Sequence, residues 1–575
     1  MKAFREMAAD LVAAAAGKDR TALLHLVAAP PRPEMGDFAF PCFSLSKELR
    51  QDPKRIAAGL AEKIPLAGTP FKEVKAEGPY LNFRLDDVAL ARLVLEAIAA
   101  EGKKFGQSEE GAGQTVIVDY SSPNIAKPFH IGHLRSTVIG AALYRIYKAR
   151  GFRPVGINHL GDWGTQFGMV MAAFDAEPAD TREEKLKSHP IAYSLELYVA
   201  YNKKCESDPA AREVAKTWFK RLEDGDPEAV ASWRRFRDLS LTEFERIYRR
   251  LGVTFDRYQG ESFYNDRMDA ALDAARTAGI VSRPEGDSGP ELVDLSDVDQ
   301  NMPPFILKKS DGATLYATRE LAAILYRLEE FHPSLLLYVV GTPQDLHFRQ
   351  LKATLNKMGL ADHEKIVHVQ FGHVHGMSTR RGEIVMLEDV LDEAAAKAAD
   401  KIEENIAAGK LDEDVDRKAL AEAVGIGAII ANDLKHRRER DIHFDWDQVL
   451  QFDGETGPYL QYSYARIQGI LRKAGGRPAG TIDAGLLTEP ETRALLLALA
   501  GFPEVVGIAR SENEPSLITT YLFGLTRAFN LFYTQRRVIG SGDATQAARL
   551  ALVEACGLVI ANGLRLLGIP ILDKM

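Results

Sequence analysis

Two imidazoles three residues apart, His130 and His133, enclose Ile131 and Gly132, and the loop Ser121-Ser-Pro-Asn-Ile-Ala-Lys-Pro-Phe129 runs directly into them. Upstream stands the apolar triplet Val116-Ile117-Val118; downstream, Leu134, Val138, Ala142 and Ile146 recur at four-residue spacing. The order is therefore strand, loop, glycine, helix. In an open parallel sheet, ligands bind in the crevice beyond the carboxyl ends of the strands. Unpaired N–H groups and the positive helix end attract phosphate there, Gly132 lets a nucleotide approach the backbone, and two imidazoles can donate to a transferring phosphoryl group. Histidines so spaced also occur as metal ligands. No nearby Cys or His completes a shell, so a phosphate site is expected and a resident metal is not. Asp119 ends the apolar strand at the same crevice.

The elements that must carry this loop follow from the pattern around it. A helix is expected over 132–150, with Lys148 and Arg150 favourable in its last turn and Gly151 to stop it. Strands are expected near 155–158, 335–340 and 366–371, so strand and helix alternate as in a parallel sheet with crossovers. At 575 residues the chain exceeds one hydrophobic core. The expected fold is α/β: a Rossmann-like parallel-sheet domain over 106–390 with a helical insertion at about 175–265. An α/β module over 1–105 with a strand at 80–84 precedes it, and a helical connecting region over 391–455 and an all-α domain over 456–575 follow.

Composition sets the class. With 46% hydrophobic and 27% charged residues, nearly the whole chain should fold. Pro503 and Glu504 interrupt the apolar stretch 494–509, so no membrane span is expected, and the N-terminus lacks a secretory layout, which leaves the cytoplasm. Cys42, Cys205 and Cys556 lie too far apart in sequence for a zinc knuckle or a disulfide framework. A net charge of −9 argues against indiscriminate nucleic-acid coating, DNA included, and leaves only local basic patches for such a partner.

His130-Ile-Gly-His133 resembles the HIGH signature of class I aminoacyl-tRNA synthetases, and the whole run from Ser121 to Ser136 is similar to the arginyl members. The likeness continues through Asn158-His-Leu-Gly-Asp-Trp-Gly-Thr-Gln-Phe-Gly168, Lys309-Ser-Asp-Gly312, Tyr338-Val-Val-Gly341, Asp441-Ile-His-Phe-Asp-Trp-Asp447 and Thr456-Gly-Pro-Tyr-Leu-Gln-Tyr462. The resemblance implies ATP-dependent activation of L-arginine, with Mg²⁺ accompanying ATP, and transfer of the arginyl group to tRNA(Arg) by a monomer. It assigns catalysis to His130, His133 and Lys127. The family's second, KMSKS, signature is met only in part by His375-Gly-Met-Ser-Thr-Arg-Arg-Gly382, where Gly376 and Thr379 stand in place of the lysines. Met377, Ser378, Arg380 and Arg381, with Lys127 and the HIGH residues including Gly132, are then the expected ATP contacts.

A guanidinium needs planar acceptors, best supplied by carboxylates. Matching the family by position assigns Asn124 and Gln344 to the backbone end of arginine, and Asp119, Tyr316 and Glu320 to its side chain; Glu320 stands where the family more often has Asp. For tRNA the resemblance implies Tyr80 and Asn82 at the outer elbow. At the anticodon it implies Tyr459, Tyr462, Arg466, Tyr533, Arg537 and Met575, aromatic and cationic groups suited to unpaired bases. The run Lys435-His-Arg-Arg438 with Arg440 is read as contacting phosphate. Two other readings share parts of this pattern, a nucleotidyltransferase acting on a small metabolite and a non-catalytic tRNA-binding relative; intact His130, Gly132, His133 and Lys127 weigh against the second.

Overall fold

In the computed structural model the described residues are 1–125, 129–188, 190–284, 289–312, 314–375, 385–409, 411–412, 414–476 and 482–575. Near the N-terminus, β1 (Phe38–Pro41), β2 (Phe71–Glu77) and β3 (Tyr80–Leu85) form an antiparallel sheet in the order β1-β3-β2. Phe38, Phe40, Leu81 and Phe83 face its core, and the helix Pro53–Lys63 packs on it. Only β3 is legible in the sequence. β2 reads Phe-Lys-Glu-Val-Lys-Ala-Glu and turns mostly charged residues to water, so it lacks an apolar signal. Asp86 caps the next helix, Asp87–Glu101, by accepting from Ala89 N–H, and that helix packs on the C-terminal helices.

The main sheet begins with β4 (Thr115–Asp119), buried at all its positions, continues with β5 (Arg153–Asn158), and takes the short β6 (Arg257–Tyr258) as an edge. β7 (Val281–Ser282), β8 (Glu291–Val293) and β9 (Phe305–Lys308) form a separate antiparallel ribbon. The chain then returns with β10 (Leu335–Tyr338) and β11 (Ile366–His368), completing a parallel sheet in the order β11-β10-β4-β5-β6. The strand order reverses at β4, with β5 on one side and β10 on the other. The cleft between the ends of β4 and β10 is therefore a topological switch point, the place where such sheets bind ligands. The crossover helix Gly132–Ala149 joins β4 to β5 and packs on both.

Five helices, Thr165–Ala176, Ala179–Ser188, Pro190–Ser207, Pro209–Glu223 and Pro227–Arg250, fill the stretch between β5 and β6. After β12 (Val374–His375), which pairs in parallel with β13 (Ile442–His443), the elements among the described residues are otherwise helical. Pro503 does not end the helix Pro490–Ser511 but lies inside it. Leu495, Leu499, Phe502 and Val506 are buried on both sides of the proline, and that packing outweighs the lost backbone hydrogen bond. By length and composition alone, this helix and Asp543–Leu567 could each cross a membrane. In the second, 78% of the apolar window is buried within the protein, as expected of a core helix that is hydrophobic all round.

Candidate active site

A cavity of about 300 Å³ opens at the switch point, lined among others by Asp119, Asn124, Gly132, His133, His159, Glu261, Tyr316, Glu320, Tyr338 and Gln344. The fold thus brings Asp119, Asn124, Gly132, His133, Tyr316, Glu320 and Gln344 to one place from four separate stretches of sequence. His130 stands beside it, its ring centroid 4.1 Å from that of His133. Lys127, Met377, Ser378, Arg380 and Arg381 lie outside the described residues. The segments flanking 376–384 are described, and both are tied down. On one side His375 pairs along β13; on the other Ile131 N–H donates to Val385 O at 3.1 Å and Leu387 N–H to Phe129 O at 2.8 Å, against the histidine turn itself.

The loop after β4 is held in a costly shape. Ser121 and Ser122 have φ of 72° and 48°, the left-handed region that non-glycine residues avoid. Hydrogen bonds hold it there: Ser121 N–H donates to Ser136 Oγ at 2.8 Å, Thr137 Oγ1 to Ser121 Oγ at 2.8 Å, and Ser122 Oγ to Asp119 Oδ1 at 2.9 Å. Such stored strain is typical of a site that must present a loop rigidly. Two glycines leave room for site side chains: a Cβ on Gly132 would meet the His130 ring at 2.7 Å, and one on Gly161 would meet Asn124 Oδ1 at 2.2 Å, so either addition would displace that side chain.

Gly132 N–H donates to His130 Nδ1 at 3.0 Å, so in the neutral His130 ring the proton sits on Nε2; His133 Nδ1 lies 3.2 Å from both His130 N–H and His130 O, so either of its tautomers is served. Burial lowers the His130 pKa, and burial together with the neighbouring His130 pushes His133 down to about 3. The pair therefore offers neutral N–H donors, not imidazolium charge.

The acids are not solvated. Asp119 and Glu320 are 4% and 3% exposed. Asp119 Oδ2 lies 2.8 Å from Nη1 of Arg327, a fully buried arginine whose guanidinium stacks over the Tyr338 ring at 5.3 Å. Glu320 Oε1 lies 3.4 Å from His159 Nε2, and Glu261 lies 3.8 Å from Arg319. Sequence reading named neither His159, Glu261 nor Arg327. His159 lies within the matched Asn158–Gly168 run, but Glu261 and Arg327 carry no local signal. Tyr338 Oη and His347 Nε2 are buried near this wall without a hydrogen-bond partner, as in a site awaiting a polar ligand. Among the described residues no group of three or more His, Cys, Asp or Glu side chains is placed to hold a metal ion.

The expected tRNA residues separate into exposed and enclosed. Tyr462, Arg466, Tyr533 and Met575 share a groove of about 380 Å³ with Arg472 and Lys473. The Arg466 guanidinium lies 4.6 Å from the Tyr533 ring centroid. Tyr459 is part-buried with its hydroxyl on Asn530, and Arg537 is exposed, donating to Ile539 O. Tyr80 is exposed, edge-on to Phe43. Asn82 is 2% exposed and donates to Glu77, so its amide faces the module's interior. The basic run at 435–440 is not a plain solvated face either: Arg438 donates to Gln370 O at 2.7 Å and to Asn513 O at 3.2 Å, and Arg437 pairs with Glu512.

Comparison with known proteins agrees with this geometry. Residues 94–446 match the family model for the class I (R) tRNA synthetase catalytic domain, residues 460–575 the DALR anticodon binding domain, and residues 2–85 the arginyl tRNA synthetase N-terminal domain. The chain is 46% identical to an arginine–tRNA ligase of Clostridium perfringens, over 96% of each chain. It is 43% identical to that of Clostridium beijerinckii over the full length of both. Among solved structures, arginyl-tRNA synthetase of Thermus thermophilus superposes with a TM-score of 0.81 at 27% identity, over 99% of this chain and 100% of that one. The enzyme of Plasmodium falciparum gives 0.77 at 25%, over 96% and 94%.

Proposed function

Because the chain belongs to the arginyl-tRNA synthetase family of class I and is an arginine–tRNA ligase, we propose how its crevice divides the work between nucleotide and amino acid. ATP lies across Gly132 with its phosphates toward the His130 Nε2–H and the neutral His133 ring. Arginine enters the acid-walled side, its carboxylate and amino group toward Asn124 and Gln344, and its guanidinium toward Glu261, Glu320 and the Tyr316 hydroxyl. The carboxylate then attacks the α-phosphorus in line, forming arginyl-adenylate as pyrophosphate leaves. A terminal ribose hydroxyl of tRNA(Arg) next attacks the acyl carbon, and AMP departs. Neither step needs an enzyme nucleophile, so positioning and charge stabilisation supply the rate.

Lys127, Arg380 and Arg381, together with Mg²⁺ arriving on ATP, would offset charge on the leaving pyrophosphate in place of the absent KMSKS lysines. Met377 and Ser378 belong to the same loop. Tyr80 at the elbow, and Tyr462, Arg466, Tyr533 and Met575 at the anticodon, give tRNA its two remote holds. Asp119 acts mainly by anchoring Arg327, since that guanidinium already takes its charge. We read the working unit as a monomer in the cytoplasm.

One observation carries the amino-acid assignment: a single cavity puts the carboxylates of Glu261 and Glu320 and the nucleotide-side His133 on common walls. The test is arginine-dependent pyrophosphate exchange with tRNA present. Glu261→Gln should raise the KM for arginine roughly 10- to 100-fold, the loss of one charge-assisted contact, with little change in the KM for ATP. An unchanged KM for arginine would take Glu261 out of the pocket.

A further inference from the structure

His159 turns each ring nitrogen toward an acceptor. Its Nδ1 lies 2.9 Å from Gln259 O, with Arg327 Nη2 also within 3.4 Å, and its Nε2, buried without a hydrogen-bond partner, lies 3.4 Å from the Glu320 carboxylate, at ion-pair distance. A neutral ring carries one proton and would turn a bare lone pair toward one of them. The imidazolium serves the Gln259 carbonyl and the Glu320 carboxylate together.

The surrounding charges lead to the same form. Asp119 on β4 is matched by Arg327, and Glu261 faces Arg319, which leaves Glu320 to His159. Other groups are also turned toward His159. Asp162, from the loop after β5, accepts from Ser262 N–H and Oγ at 2.8 and 2.7 Å, an arrangement that favours its carboxylate although burial raises its pKa; Tyr264 presents its ring at 5.6 Å; Arg327 Nη2 lies 3.4 Å from Nδ1 and opposes the proton. Burial also opposes the imidazolium, yet Glu320 and Asp119 raise the His159 pKa above its ordinary value. Burial opposes the Glu320 charge too, and His159 and Arg327 nonetheless hold that carboxyl down to about 2.

Arginine brings a permanent guanidinium against the Glu320 carboxylate that His159 already faces, and two cations on one carboxylate repel each other. Arginine side chains do not deprotonate, and His133 and His347 are already neutral because burial lowers both. The proton on His159 Nε2 is the one that can go. We propose that His159 is a stand-in cation: its imidazolium balances Glu320 in the empty cavity, and arginine binding displaces the Nε2 proton to solvent. The freed Nε2 lone pair then accepts from the incoming guanidinium. This rests on the reading that arginine occupies the cavity.

The sign follows from linkage. The proton is held more tightly before binding than after, so binding releases it. Affinity for arginine then rises with pH between the bound and free pKa values, by up to about tenfold per pH unit for one proton. Calorimetric titration of L-arginine into the full-length protein, in phosphate and in Tris at the same pH, reads the release directly. The expected result is a buffer-dependent binding enthalpy and an affinity that climbs from pH 6 to pH 8. In His159→Gln both effects should vanish while arginine still binds. Glu320→Gln, which removes the charge that holds the proton, should also suppress the release and gives a second reading if His159→Gln fails to fold. Equal wild-type enthalpies in the two buffers, or undiminished release in His159→Gln, would overturn the proposal. Absence of any arginine binding at every pH would instead reject the arginine reading on which it rests.

Discussion

His133 pairs chemical usefulness with a stability cost. A neutral ring can donate its one N–H to a phosphoryl oxygen, and the burial that keeps it neutral pushes its pKa to about 3, against an ordinary 6.5. Because the folded value lies below the unfolded one, the folded state is favoured fully above pH 6.5. That advantage is lost progressively as pH falls toward 3, when the unfolded chain takes up a proton that the folded chain refuses. His133→Asn should therefore show a shallower fall in melting temperature between pH 6.5 and 4 than the parent, measured side by side. Identical slopes would mean that the ring is not shielded as its surroundings indicate. His159, on the same cavity, is pushed the other way: against burial, the Glu320 and Asp119 carboxylates raise its pKa. The residue types were legible in the sequence; their protonation states were not, because each is set by groups remote along the chain.

At the scale of elements, the helix Gly132–Ala149 does more than place Gly132. Periodicity identifies its apolar face, yet Arg135, Ser136 and Thr137 are buried as well. Arg135, 1% exposed, reaches Asp433 at 3.2 Å and donates to Gly372 O and Arg440 O, each at 2.8 Å. It ties the crossover helix to the strand edge leading into β12 and to the helix Arg417–Leu434. Arg135→Ala would leave Asp433 buried without its cation, a loss of about 3–5 kcal/mol, whereas Arg135→Ala with Asp433→Ala should cost less than the two single changes summed. Urea unfolding of the three variants checks this; strict additivity would show that the pair is not coupled. Arg438 works similarly, which is why a run of basic residues that reads as a phosphate patch is partly consumed in holding Gln370 and Asn513.

At the scale of the molecule, the crevice proposed for nucleotide chemistry and the groove proposed for base recognition are separate cavities, one at the β4–β10 switch point and one among the C-terminal helices. Stacking on an aromatic side chain contributes about 1–3 kcal/mol per base. Tyr533→Ala should therefore raise the KM for tRNA in aminoacylation roughly 5- to 150-fold while leaving the calorimetric affinity for arginine without tRNA unchanged. A change in the arginine titration would mean that the groove and the cavity are not independent.

Local order is what the sequence determined by itself. The apolar strand before the histidine turn, the four-residue spacing after it and the strand–helix alternation placed β4, the crossover helix, β5, β10 and β11, because periodicity is written in adjacent residues. The motif then marked the crevice and the two histidines at its wall. Tertiary structure alone decided which charges meet: Arg327 with Asp119, His159 with Glu320, Arg135 with Asp433. A buried ion pair depends on distance and desolvation between chain segments far apart in sequence, and spacing along the chain encodes neither.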